Sequence, residues 1–273
     1  MLNDITLGQY FPGNSLLHKA DPRSKIIATI VYIVTLFVSN NIISFAACAL
    51  TGIFFITISS IPIKIIIKGL KPVIFILFFT FLINVFFTGG ENLAFEIGII
   101  SVYYEGIYKA FIMSVRIIFL IAVTSLFLSY TTSPIMLTDA IEELLRPLKK
   151  IKIPVHEFAM MMTIALRFIP TLVEETDKII KAQKSRGADF TEGGLVSKAK
   201  ALVPILIPLF VSSFRRADEL AVAMECRCYR GGDGRTKLKC LAYTKTDALF
   251  LFIFIVFLTS VILLNIYFAT LNF

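Results

Sequence analysis

Apolar residues dominate five stretches of the chain, at 26–38, 42–61, 72–87, 107–130 and 248–268, and most of the charge lies between them. Stretches this rich in apolar residues predict helices that face lipid, against a need for about 20 residues per crossing. The first is short, and only Ser39, Asn40 and Asn41 part it from the second. The two therefore read as a tight helical hairpin that crosses the bilayer, with a re-entrant pair that never crosses as the alternative. Basic residues at both inner ends favour crossing.

The polar stretch at 131–245 has a different rhythm and predicts three helices. The first, at 133–148, carries Asp139, Glu142 and Glu143 early and Arg146, Lys149 and Lys150 late, an order that suits the helix dipole. The second, at 155–184, pairs Glu174 with Lys178 and Asp177 with Lys181 at four-residue spacing and stops at Gly187. The third, at 195–229, ends before Gly231, Gly232, Asp233 and Gly234. Kinks or breaks are expected at Pro170, Pro204 and Pro208. Within these helices 158–173 is apolar save for Arg167, and 201–211 is wholly apolar. Both are too short to span, so they are expected in the interface or against a partner, with packing against each other as the alternative. The flexible thioethers of Met160, Met161 and Met162 favour a shared surface.

Composition supports bilayer residence: the chain of 273 residues is 57% hydrophobic, with mean hydropathy +0.82. Its net charge of +8 reads as cytosolic loops and not as a nucleic-acid surface. Lys19, Arg23 and Lys25 before the first span, and Lys64, Lys68 and Lys71 in the turn between the second and third, are expected on the cytosolic side. The loop at 88–104 holds Glu91 and Glu96 without a Lys or Arg, whereas 131–245 holds nineteen basic residues, so that loop is expected outside and the long segment inside. Five crossings from a cytosolic N-terminus would leave Leu271, Asn272 and Phe273 outside. No cleavable signal is apparent in the polar first 25 residues. Arg116, inside the fourth span, is expected to pair within the bundle or reach water, with a path-lining role as the alternative.

The pattern also argues against several chemistries. The sequence has no Gly-x-x-x-x-Gly-Lys-Ser/Thr run, so the chain is not expected to bind ATP. His18 and His156 lie in different segments with no second ligand at metal-site spacing. Cys48, Cys226, Cys228 and Cys240 resemble neither a disulfide framework nor a complete soft-metal site, and reduced cytosolic thiols fit better. No serine, histidine and acid arrangement supports nucleophilic catalysis.

Four segments carry a resemblance over nearly the whole chain. Asp21-Pro22-Arg23-Ser24-Lys25, the run from Ala165 to Leu172 around Arg167 and Pro170, Ser185-Arg186-Gly187-Ala188, and the run from Ala223 to Gly231 around Cys226-Arg227-Cys228 together resemble the transmembrane T component of energy-coupling factor transporters. The resemblance implies a non-catalytic coupling subunit of an ABC-type importer in the bacterial plasma membrane. Two Ala-Arg-Gly-type triplets would end the coupling helices and insert into grooves of two ABC-type ATPase subunits. ATP with Mg2+ would be bound by those partners, no cofactor by this chain, and the vitamin by a separate membrane-embedded substrate-binding S component.

Carried onto this sequence, the triplets are Ser185, Arg186 and Gly187, then Cys226, Arg227 and Cys228, which depart from the Ala-Arg-Gly form at Ser185, Cys226 and Cys228. Arginine suits such docking because its planar fork of five donors stays charged on burial. The alternative is that both arginines only complement C-terminal dipoles. Met160, Met161, Met162, Leu206 and Phe210 are the expected S-component contacts. A dedicated cobalt or nickel importer, or a membrane scaffold without ATPases, are the other readings. The expected fold is an all-α membrane protein: four transmembrane helices in 1–130, a coupling domain of three helices in 131–245, and a C-terminal transmembrane helix in 246–273.

Overall fold

The computed structural model describes residues 10–90, 92–97, 100–188, 194–232 and 241–267. Each of the five apolar stretches is helical over most of its described residues, and the fold is that of an all-α membrane protein. After a single turn, α1 (Leu16–Lys19), the chain forms α2 (Pro22–Val38), α3 (Ile42–Ile58), the short α4 (Ile63–Leu70) and α5 (Ile74–Phe87). A two-stranded antiparallel hairpin, β1 (Leu93–Ile97) and β2 (Ile100–Tyr103), leads into α6 (Tyr104–Thr124), which continues as a π-helical turn over Ser125–Tyr130. Then follow α7 (Pro134–Leu145), α8 (Val155–Ser185), α9 (Leu195–Cys226) and α10 (Lys245–Tyr267).

Among the described residues, three helical stretches are long and apolar enough to cross a bilayer: Ile63–Phe87, Tyr104–Tyr130 and Thr246–Tyr267. The 17 residues each of α2 and α3 reach only about 25 Å at a rise of 1.5 Å, the short end of the crossing range.

Two elements differ from expectation. The lysines at 64, 68 and 71 do not mark a turn; Lys64 and Lys68 lie in α4 and Lys71 in a 3-10 turn joining it to α5. Their spacing of four and three residues is itself helical and leaves Ile66 on the opposite, buried face. The loop at 88–104 contains the hairpin, whose alternating Leu93-Ala94-Phe95-Glu96-Ile97 has the two-residue period of a strand.

The chain divides into two compact units, one of Gly8–Ala140 with Leu241–Phe273, the other including Ile141–Cys240. The core of the first is aromatic. Phe55 of α3 stacks on Phe254 of α10 at 5.1 Å, and Phe127 of the π-helical turn meets both edge-on. Offset and edge-to-face geometry adds to the area these rings bury.

Polar clusters tie the helix ends of this unit. Asp21 caps α2 by accepting from the Arg23 amide, with Pro22 at the first helical position. The Asp21 amide donates to Asp247 Oδ1 at 2.8 Å, and Arg23 both pairs with Asp21 and lies 3.9 Å over the Tyr243 ring. Lys25, 1% exposed, donates from Nζ to the Thr131 carbonyl at 2.9 Å and to Thr132 Oγ1 at 3.2 Å. The start of α2 thus holds both the segment from which the chain leaves this unit and the segment by which it returns. At the other end, Asn265 of α10 donates to the Val38 carbonyl and accepts from the Asn40 amide and the Ser44 hydroxyl. Arg116 donates to the Ser39 carbonyl at 2.8 Å, so it pairs inside the bundle.

Candidate functional site

The second unit carries both arginine triplets. Its helices form as their apolar periodicity predicts, but α7 stops at Leu145 and gives way to a 3-10 turn, Arg146–Ile151. Proline does not break the long helices: α8 continues through Pro170, and α9 through Pro204 and Pro208. Among the described residues neither Glu174 with Lys178 nor Asp177 with Lys181 closes an ion pair. Glu175 instead accepts from Ser212 Oγ and Arg216 Nη2 across the two helices.

The contacts between α8 and α9 are antiparallel in register. Glu175 meets Ser212 and Arg216, while Gln183 Nε2 donates to the Pro204 carbonyl at 3.4 Å. Ile164, Phe168 and Leu172 line one groove with Arg216, Leu220 and Met224. As α8 runs toward its end, its partners on α9 therefore run back toward the start. The two triplets emerge from opposite ends of the pair.

Both ends have the same backbone. After the last helical residue, Ser185 or Cys226, the arginine takes φ −89, ψ 5 at Arg186 and φ −92, ψ 16 at Arg227. The next residue is left-handed, with φ 88 at Gly187 and φ 55 at Cys228. Gly187 N donates to Lys184 O at 3.0 Å and Ala188 N to Gln183 O at 3.0 Å; Cys228 N donates to Glu225 O at 2.8 Å and Tyr229 N to Met224 O at 3.0 Å. Each is a Schellman terminus, which satisfies the last carbonyls and turns the chain away. The arginine is left at the apex. Ser185, Arg186, Gly187, Cys226, Arg227 and Cys228 are all exposed, and among the described residues neither guanidinium has an ion-pair partner.

Glycine adopts the left-handed region freely, whereas Cys228 does so at a steric cost. The two helix ends thus share one backbone geometry, although only the first has glycine at the left-handed position. Two exposed, unpaired cations at helix ends could complement the dipole, and are equally ready to enter an acidic or carbonyl-lined groove.

Of the expected S-component contacts, Met161 and Met162 are exposed at 58% and 40%, and Leu206 and Phe210 at 45% and 60%, with Met160 half-buried. The antiparallel register does not gather them into one patch: the methionines lie toward the Arg227 end and Leu206 and Phe210 toward the Arg186 end. The apolar face of α9 is also wider than those two residues, with Val203, Ile207, Val211 and Phe214 exposed beside them. The wholly apolar run at 201–211 was its signal. Among the described residues no group of three or more His, Cys, Asp or Glu could hold a metal ion, and Cys240 lies outside them.

Comparison with known proteins places this geometry in context. Residues 13–238 match the CbiQ family, described as cobalt transport protein. The energy-coupling factor transporter transmembrane protein EcfT of Ruminiclostridium cellulolyticum is 55% identical over 265 residues, covering 97% of this chain and 98% of its own. The proteins of the same name from Clostridium kluyveri and Bacillus subtilis are 52% and 47% identical, each over 90% of this chain and 92% and 93% of their own.

Proposed function

Because the chain belongs to the CbiQ/EcfT family, the transmembrane components of energy-coupling factor transporters, we propose that it transmits work from two cytosolic ABC-type ATPases to a membrane-embedded S component that binds a vitamin. The observation that carries this reading is the matched pair of helix ends, each presenting one exposed arginine beyond a left-handed turn. Arg186 and Arg227 dock in grooves of the ATPases. The long helices α8 and α9 carry the displacement that ATP binding and hydrolysis produce there. The exposed apolar faces around Met161 and Phe210 meet the S component or the bilayer interface. ATP and Mg2+ belong to the ATPases and the vitamin to the S component. The N-terminus and the second unit face the cytosol, and the C-terminus the outside.

A dedicated cobalt or nickel importer is the second reading, because the family is described as cobalt transport protein. Identities near 50% to proteins named EcfT favour the first. The test is copurification and uptake with the Arg186→Ala/Arg227→Ala double variant. Loss of the ATPase chains, or of uptake with the chains retained, is expected; full assembly with normal uptake would refute the docking role.

A further inference from the structure

The geometry points to Glu175, Ser212 and Arg216 as a polar latch that fixes the register of α8 against α9, so that the two arginine ends move as one body. The inference rests on the coupling role proposed above and assigns it a positioning element. Glu175 accepts from the Ser212 hydroxyl with one oxygen and from Arg216 with the other, so both carboxylate oxygens are engaged across the helix pair. The side chains are only 21% exposed at Glu175 and 31% at Arg216, and the groove beside them is lined by Ile164, Phe168, Leu172 and Leu220.

The position of the latch is what suggests its role. Arg186 follows Glu175 by eleven residues, and Arg227 follows Arg216 by eleven. With the helices antiparallel, the latch sits midway between the arginines, which are up to about 33 Å apart at 1.5 Å per residue. Each tip-bearing half also lies beyond a proline, Pro170 in α8 and Pro208 in α9, where a backbone hydrogen bond is missing and bending is easiest. The latch therefore joins the two halves on the tip side of their soft points. The apolar attraction between the groove-lining faces of Ile164, Phe168 and Leu172 and of Ala217, Leu220 and Ala221 is non-directional and tolerates a slip of one turn. Such a slip would displace one arginine relative to the other by about 5.4 Å. A bifurcated, charge-assisted contact is satisfied in one register only, a role for which partly buried polar groups are well suited. Because a partly exposed pair contributes little stability, its loss should disturb spacing more than folding.

Two readouts test this. In the full-length chain in nanodiscs, with Cys48, Cys228 and Cys240 changed to Ser, spin labels at native Cys226 and at Ser185→Cys report the distance between the ends. A single narrow distribution is expected in the parent, at least a two-fold broadening in Glu175→Gln or Arg216→Gln, and recovery in Glu175→Arg/Arg216→Glu. An unchanged width in both single variants would overturn the latch. In the reconstituted complex with its ATPases and S component, Glu175→Gln should retain the ATPases but lower substrate moved per ATP at least five-fold, with recovery in the charge-swapped pair. An unchanged ratio would overturn the coupling consequence. Should Glu175→Gln fail to fold, Ser212→Ala, which removes one donor and keeps the ion pair, should broaden the distances to a lesser degree; no broadening there would overturn the latch. Failure of the unaltered chain to bind ATPases would instead refute the coupling role and leave the distance result standing.

Discussion

Replacing Lys25 by Met removes one buried cation from the clasp at the start of α2. The Lys25 ammonium is within hydrogen-bond reach of the Thr131 carbonyl and Thr132 hydroxyl, and Lys25 and Thr131 are 1% and 2% exposed. A hydrogen bond to a charged group contributes about 1.5–3 kcal/mol, and removing one partner leaves the other buried and unsatisfied. The carboxylates of Asp21 and Asp247, 6% and 2% exposed, also lose a neighbouring positive charge. Met keeps most of the side-chain volume, so cavity formation adds little and its extra apolar burial offsets part of the loss. The expected net destabilisation is about 2–4 kcal/mol, large against a total stability of about 5–15 kcal/mol. Denaturant titration of the purified chain in detergent micelles measures it. Arg23→Ala, which removes a less buried cation with its ion pair and ring contact, should cost about half as much. A Lys25→Met chain within about 0.5 kcal/mol of the parent would refute the reasoning, since surface substitutions reach no further than that.

The two left-handed positions give opposite responses to substitution. Gly187→Val forces a β-branched residue to φ 88 and should cost about 1–2 kcal/mol at that helix end, weakening ATPase capture about 5–30-fold in a titrated pull-down. Cys228→Gly relieves the backbone at φ 55 and should leave capture unchanged or tighter, which also tests whether the second thiol has any part in docking.

The spans were legible because their core-facing and outward-facing residues are alike apolar, so each reads as one continuous run. Polar periodicity was harder: Lys64, Lys68 and Lys71 read as a basic turn between two apolar runs, although their spacing of four and three residues is helical. The prolines do not break the helices for a physical reason, since a long helix can lose single backbone hydrogen bonds at Pro170, Pro204 and Pro208 and still continue when its flanks are packed. Arg186 and Arg227 were found through resemblance. Their shared turn was hidden because Cys228 stands where the first triplet has glycine, and sequence reports no φ. Glu175 and Arg216 were missed altogether. Glu175 continues the apolar stripe of Ile164, Phe168 and Leu172 at helical spacing, and Arg216 lies among Ser213, Ala217 and Leu220 on the facing stripe. A charged residue at a stripe position was the available signal. Its partner, 41 residues away in sequence, could be identified only from the fold.

The central claim is that Arg186 and Arg227 enter ATP-hydrolysing partners, and its most direct test is photo-crosslinking in membranes. A photoreactive residue placed at 186 or at 227, one at a time, should form an adduct with a nucleotide-binding chain at each position, whereas one at the exposed Lys109 should form none. Adducts with ATPase chains absent at both 186 and 227, in membranes that still take up the vitamin, would contradict the account.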